Sequence, residues 1–204
     1  MFLTITGGNA VTSVHAQIPV TGNSVPDSQP SKMISSLPSF NSFVRTVAYG
    51  DSTVRGVYIP EVMALEVVQQ PKDQPAFVSI EPKAATQFQM ASAFGTIGLL
   101  AHNFLAGRYF DDVQIGDKIS VVHGDGQVEE YQISSILQFQ ALDTTNIRTD
   151  FVDTSTQKQI TAQELFNLVY GGKPHLTLQT CVAKGQMLSW GRLFVIAEPV
   201  ETKS

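Results

Sequence analysis

From Ser42 onward the chain is written in short apolar, β-branched runs broken by turn residues. "SFVRTVAYG" (42–50) and "STVRGVYIP" (52–60) read as two such β-rich runs, with Gly50-Asp51-Ser52 as the turn between them. "ALEVVQQ" (64–70) and "PAFVSIEP" (75–82) continue the pattern. The alanines of "AATQFQMASAFG" (84–95) predict a short helix, and "GTIGLLAHNF" (95–104) returns to strand. "DKISVVHGDGQVEEYQISSILQFQAL" (117–142) reads as a β-hairpin. Its turn centres on Asp125-Gly126, because Asp-Gly supplies the positive φ that a tight hairpin turn needs.

One helix is signalled at both ends. In "ITAQELFNLVYGG" (160–172), Thr161 followed three residues later by Glu164 is a capping box. Leu165, Leu168 and Val169 give an apolar stripe at helical spacing, and Gly171-Gly172 predict a left-handed cap. "PHLTLQTC" (174–181) and "GRLFVIAEPV" (191–200) are two further strands. Six to eight short strands with one or two helices predict a mostly β fold, a barrel or a sandwich.

Residues 1–40 differ in kind. "TGNSVPDSQPSKMISSLPS" (21–39) is rich in Ser, Pro, Asn and Gly, too polar to bury a core of its own. Residues 1–40 are expected to be a polar arm or linker, and residues 41–204 the folded domain. The 204 residues suffice for one domain with a sizeable core. Only 15% of them are charged, so Ser, Thr, Gln and Asn carry the surface, as in many exported proteins. A net charge of −5 argues against a nucleic-acid footprint. No apolar run is long enough to span a membrane. The opening residues have no Lys or Arg before Lys32, and so lack the basic region of a signal peptide.

Cys181 is the only cysteine, so no internal disulfide forms. A lone cysteine is either a small buried hydrophobe or a reactive thiol. Strand alternation sets Leu176, Leu178 and Thr180 on one face, and His175, Thr177, Gln179 and Cys181 on the other. The leucines therefore fill the core while Cys181 points elsewhere. His175 shares that face but is excluded as a base. Six residues of strand span roughly 20 Å, against the ~3 Å of a nucleophile–base pair. His15 lies in the arm, and His123 opens the hairpin turn as a solvated residue. His102 ends an apolar strand, where it is either structural or a partner for a thiol at a neighbouring strand mouth. Arg192, eleven residues past Cys181, is either a solvated edge residue or a cation returned alongside the thiol.

These residues carry a resemblance. "LTLQTC" (176–181) matches the T-L-x-T-C signature of the sortases, the cysteine transpeptidases of bacterial cell surfaces. "IGLLAHNFLAGRYFDDVQIGDKISVV" (97–122) resembles the sortase histidine region, and "GRLFVIAEP" (191–199) the strand that carries the family's arginine. "GVYIPEV" (56–62) is similar to the family's early "IP" strand. The likeness covers about residues 42–200. Ala101 stands where many members have Gly, and the His102-Asn103 pair is similar to class B sortases, although the class is not resolved.

The resemblance implies a closed sortase-type β-barrel of about eight strands with one or two short helices. It implies cleavage of an L-P-x-T-G-like sorting signal at Thr, with transfer of the acyl group from a Cys181 thioester to an amine. His102 would be the general acid and base, and Arg192 the oxyanion partner. Thr180, Ala101 and Asn103 would contact the substrate. Partners would be proteins bearing a sorting signal and an amine acceptor, a cell-wall peptide precursor or a pilin lysine. No metal or organic cofactor is implied. The expected location is the extracellular face of a bacterial membrane, with any anchor or signal outside this chain. The competing reading is an inactive sortase-like barrel that binds or assembles at the cell surface. A cysteine protease of another fold fits worse, because its cysteine commonly opens a helix whereas this one ends a strand.

Overall fold

The computed structural model describes residues 37–146 and 148–201. The polar arm falls, up to residue 36, outside the described residues. Ten strands follow in order: β1 (Val54–Ile59), β2 (Met63–Gln69), β3 (Ala84–Gln87), β4 (Ile97–Leu100), β5 (Lys118–His123), β6 (Val128–Ala141), β7 (Phe151–Asp153), β8 (Gln159–Ile160), β9 (Leu176–Lys184) and β10 (Met187–Pro199). They are joined in the order β10-β9-β4-β3-β2-β1-β5-β6-β7-β8, and β10 also pairs with β6. That last pairing closes eight strands into a barrel, leaving β7 and β8 as a small extension on the edge of β6. Closure removes the free edges that an open sheet would expose. It also decides between the two architectures left open by the strand pattern.

β6 makes closure possible by its length. Its first residues, Val128–Gln132, pair with β5, while Tyr131 to Gln140 pair with β10. The hairpin turn forms at Asp125-Gly126 as predicted, with Gly126 at φ +87.

Side-chain alternation sorts the strands into an inside and an outside. Leu99, Ala101, Leu176, Leu178, Leu193 and Val195 join the barrel core. A second core lies on the outer face, where Phe139, Phe151 and Phe194 are covered by Leu165, Val169 and Tyr170 of the helix Ala162–Tyr170. A third, smaller core holds Phe43, Val47, Tyr58 and Val122.

Among the described residues, three α-helices pack against the barrel: α1 (Phe40–Val47), α2 (Gln89–Ser92) and α3 (Ala162–Tyr170). The first corrects the expected strand at 42–50. Ser39 accepts from the backbone N–H of Ser42 as an N-cap, and Phe43 and Val47, one turn apart, are the buried pair. Residues 75–82 form no strand, and 84–95 divides into strand β3 and the four-residue α2. In α3 the capping box of Thr161 and Glu164 is present in both directions. The buried stripe is Leu165, Val169 and Tyr170, whereas Leu168 is 51% exposed. Only Gly172 is left-handed, at φ +95. Gly98 lets α2 and α3 lie close on β4, since a Cβ there would stand 2.6 Å from the Ala91 Cβ and 3.0 Å from the Tyr170 ring.

Candidate active site

Two pairings of β9 determine what surrounds Cys181. On one side β9 runs parallel to β4, with Leu99 opposite Leu178 and Leu100 opposite Gln179. The Ala101 N–H then donates to the Gln179 carbonyl at 3.1 Å, so the register continues past the end of β4. One more step sets Ala101 beside Thr180, whose hydroxyl reaches the Ala101 carbonyl, and His102 and Cys181 are the residues that follow each. On the other side β9 runs antiparallel to β10, and Cys181 stands directly opposite Arg192. The row His102, Cys181, Arg192 thus runs from the loop just past β4 to β9 and β10, of which the Cys181–Arg192 step is a strand pairing, ~4.8 Å wide. All three occupy outward positions, since Ala101, Leu178 and Leu193 point into the barrel core.

Each member of the row is only partly covered. Cys181 is a free thiol. Arg192 donates from Nη1 to the Gly191 carbonyl at 2.9 Å, and no carboxylate pairs with it among the described residues. No described residue neutralises its charge, and a guanidinium in this position favours a thiolate or a developing oxyanion.

His102 is held from behind. Its carbonyl accepts from the N–H groups of Leu105 and Gly107, both at 2.9 Å, which begin the 3-10 helix Ala106–Asp111. Gly107 is required there, because a Cβ would lie 2.8 Å from the Ala101 carbonyl oxygen and 2.9 Å from that of His102. The imidazole stacks on Phe104, ring centroids 5.1 Å apart and planes 22° apart. Asn103 Nδ2 donates to the Leu188 carbonyl at 3.1 Å, tying this loop to the start of β10.

Several expected positions take other roles. Cys181 does not end its strand, since β9 continues to Lys184 and pairs there with Met187. Thr180 and Ala101 do not line a peptide-facing surface. Thr180 is 2% exposed and Ala101 5%, and the Thr180 hydroxyl donates to the Ala101 carbonyl at 2.8 Å. The pair clamps β4 to β9 from inside the barrel wall, because alternation turns both side chains inward. His175 is buried at the start of β9, with its ring nitrogens 2.9 Å from the Val169 carbonyl and 2.8 Å from that of Lys173. His123 is not a solvated turn residue. It lies at the other end of the barrel, 3.2 Å from Glu129, with its side chain 13% exposed. His15 lies outside the described residues.

Sequence reasoning missed Tyr170 and Gly107. Tyr170 reaches over β4 from α3 and donates its hydroxyl to the Gln179 side chain, two residues from Cys181 on the same face. The helical stripe placed Leu165 and Val169 inward, but no local pattern reveals that the next residue meets a strand nine residues on.

No protein-family model and no curated protein matches the sequence. Solved structures do. Sortase C1 from Streptococcus suis superposes with a TM-score of 0.50 at 17% identity, over 80% of this chain and 81% of that one. Sortase A from Listeria monocytogenes gives a TM-score of 0.46 at 16% identity, over 74% of this chain and 89% of that one. Sortase C1 from Streptococcus agalactiae gives 0.45 at 16%, over 77% and 72%. With its eight strands closed through β6 and β10, the chain has the sortase fold.

Proposed function

We propose that the protein is a cysteine transpeptidase acting on an L-P-x-T-G-like sorting signal. The observation that carries the reading is the direct pairing of Cys181 on β9 with Arg192 on β10, with His102 following the end of β4 on the other side of β9. In the first step Cys181 passes its proton to His102, and its sulfur attacks the carbonyl carbon of the Thr–Gly bond. The S–C bond forms, and the carbonyl electron pair moves onto oxygen, where Arg192 donates to it. The C–N bond then breaks, and His102 delivers a proton to the departing glycine amine. The product is a Cys181 thioester, which divides one difficult substitution into two easier ones.

In the second step an amine attacks the thioester and gives up a proton to His102. The tetrahedral adduct collapses, and Cys181 leaves as thiolate. No oxidation or reduction occurs. Water in place of the amine gives hydrolysis. The acceptor is a cell-wall peptide precursor or a pilin lysine, and the site of action is the outer face of a bacterial membrane.

The test is incubation with sorting-signal peptides and a set of amines, read by mass spectrometry. The reading expects a ligated product from the wild-type protein and none from Cys181→Ala. A Cys181→Ala variant that still ligates or cleaves refutes it. A wild-type protein that turns over no peptide, and whose thiol resists alkylation at neutral pH, is the inactive binding barrel instead.

A further inference from the structure

Gln179 precedes Cys181 by two residues on the outward face of β9 and pairs with Leu100 on β4 and Phe194 on β10. Successive same-face positions on a strand are ~7 Å apart, so the Gln179 carboxamide adjoins the thiol along the strand. Its Oε1 accepts from the Tyr170 hydroxyl. Tyr170 is only 2% exposed, and burial pushes its phenol well above the usual range, so it stays a neutral donor. The hydroxyl has no other acceptor among the described residues. A buried O–H left without an acceptor is costly, so its proton goes to Gln179. That fixes which end of the amide faces the phenol: the oxygen does, and the NH2 turns away from α3. Among the described residues no protein group accepts from that NH2, and the side chain is only partly covered.

We propose that Gln179 is a specificity-determining residue, whose NH2 donates to an acceptor-bearing side chain of the acyl-donor peptide close to the bond that Cys181 attacks. Tyr170 is the positioning residue that aims it. The inference rests on the transpeptidase reading. An apolar peptide side chain laid over this amide would strip water from two N–H groups and leave them unpaired, which the site therefore rejects.

The experiment compares wild type, Gln179→Leu and Tyr170→Phe on peptides varied one position at a time around the scissile bond, with a single amine. Wild type is expected to favour Asn, Gln, Ser, Thr, Asp or Glu over Leu at one position, by about tenfold or more in kcat/KM. Gln179→Leu is expected to reverse that order. Tyr170→Phe keeps the ring and frees the amide, and is expected to weaken the preference mainly through KM. Alkylation of Cys181 checks that the thiol is in place in each variant. Unchanged preference in both variants, with wild type active, overturns the role of Gln179 and leaves the transpeptidase reading standing. Failure of wild type to acylate Cys181 with any peptide instead overturns that reading, and this proposal with it.

Discussion

Cys181 and Arg192 are directly opposed partners across the β9–β10 ribbon. The turn at Gly185 (φ +60) pairs Lys184 with Met187, and an irregularity between Met187 and Gly191 then shifts the register so that Arg192, and not Trp190, faces Cys181. A register slip of one residue would send Arg192 into the barrel core. Arg192→Ala is therefore expected to lower kcat/KM by about a hundredfold to a thousandfold, the usual cost of losing one oxyanion donor. Arg192→Lys should recover only part of this, because an ammonium lacks the planar fork. Steady-state kinetics on one peptide–amine pair checks both.

Gly107 holds the His102 segment against β9. The carbonyls that a new Cβ would meet belong to Ala101 and His102, and backbone cannot swing aside as a long side chain can. Gly107→Ala is expected to cost about 1–3 kcal/mol of stability, and to reduce turnover beyond what the stability loss explains. Urea unfolding together with kinetics on the folded fraction separates the two effects.

The α3 capping box supports the helix that carries Tyr170. Thr161 accepts from the Glu164 N–H at 3.2 Å, and Glu164 accepts from the Thr161 N–H at 2.9 Å. Thr161→Ala is expected to destabilise the protein by about 1 kcal/mol. The check is a shift in urea midpoint at unchanged slope.

Asp153 gives the fold a pH dependence of known sign. At the end of β7 its carboxylate accepts from the Ser155 hydroxyl and N–H, both at 2.7 Å, and from the Thr156 N–H. These bonds, the Ser155 hydroxyl first, hold its pKa at about 2 against an ordinary 3.8. The folded value is the lower one, so the stabilisation is fully present above about pH 4. It is lost as pH falls through 4 toward 2. Wild type should unfold later than Asp153→Asn by a constant margin at neutral pH, and the margin should close in that acid window. The group is solvent-exposed, so the margin is small. Urea midpoints of the two proteins measured from pH 7 to pH 2 test it.

What the sequence disclosed and what it hid divide along local and non-local lines. The Asp125-Gly126 turn and the Thr161–Glu164 box are local devices, and both form where they were read. The outward direction of Cys181 follows from strand alternation alone, whereas the rise per strand residue is what excludes His175. The stretch 42–50 misled because Phe43, Val44 and Val47 fit both a strand and a helix. Its helix is decided by the Ser39 cap and by the surface under Phe43 and Val47, which comes from β1 and β5. Thr180 sits next to the thiol in sequence, yet alternation sends it into the barrel wall to bind Ala101. The pairing of Cys181 with Arg192 is set by the register of β9 against β10, including its irregularity before Gly191, which no single stretch of sequence reveals.

In the proposed reaction Cys181 carries the acyl group. Intact-mass spectrometry after mixing the protein with a sorting-signal peptide, without an amine, tests it most directly. The account predicts an adduct of the acyl mass on Cys181, released when an amine is added, absent in Cys181→Ala and released far more slowly in His102→Ala. An absent adduct in wild type across a broad peptide set, or an adduct that survives Cys181→Ala, contradicts it.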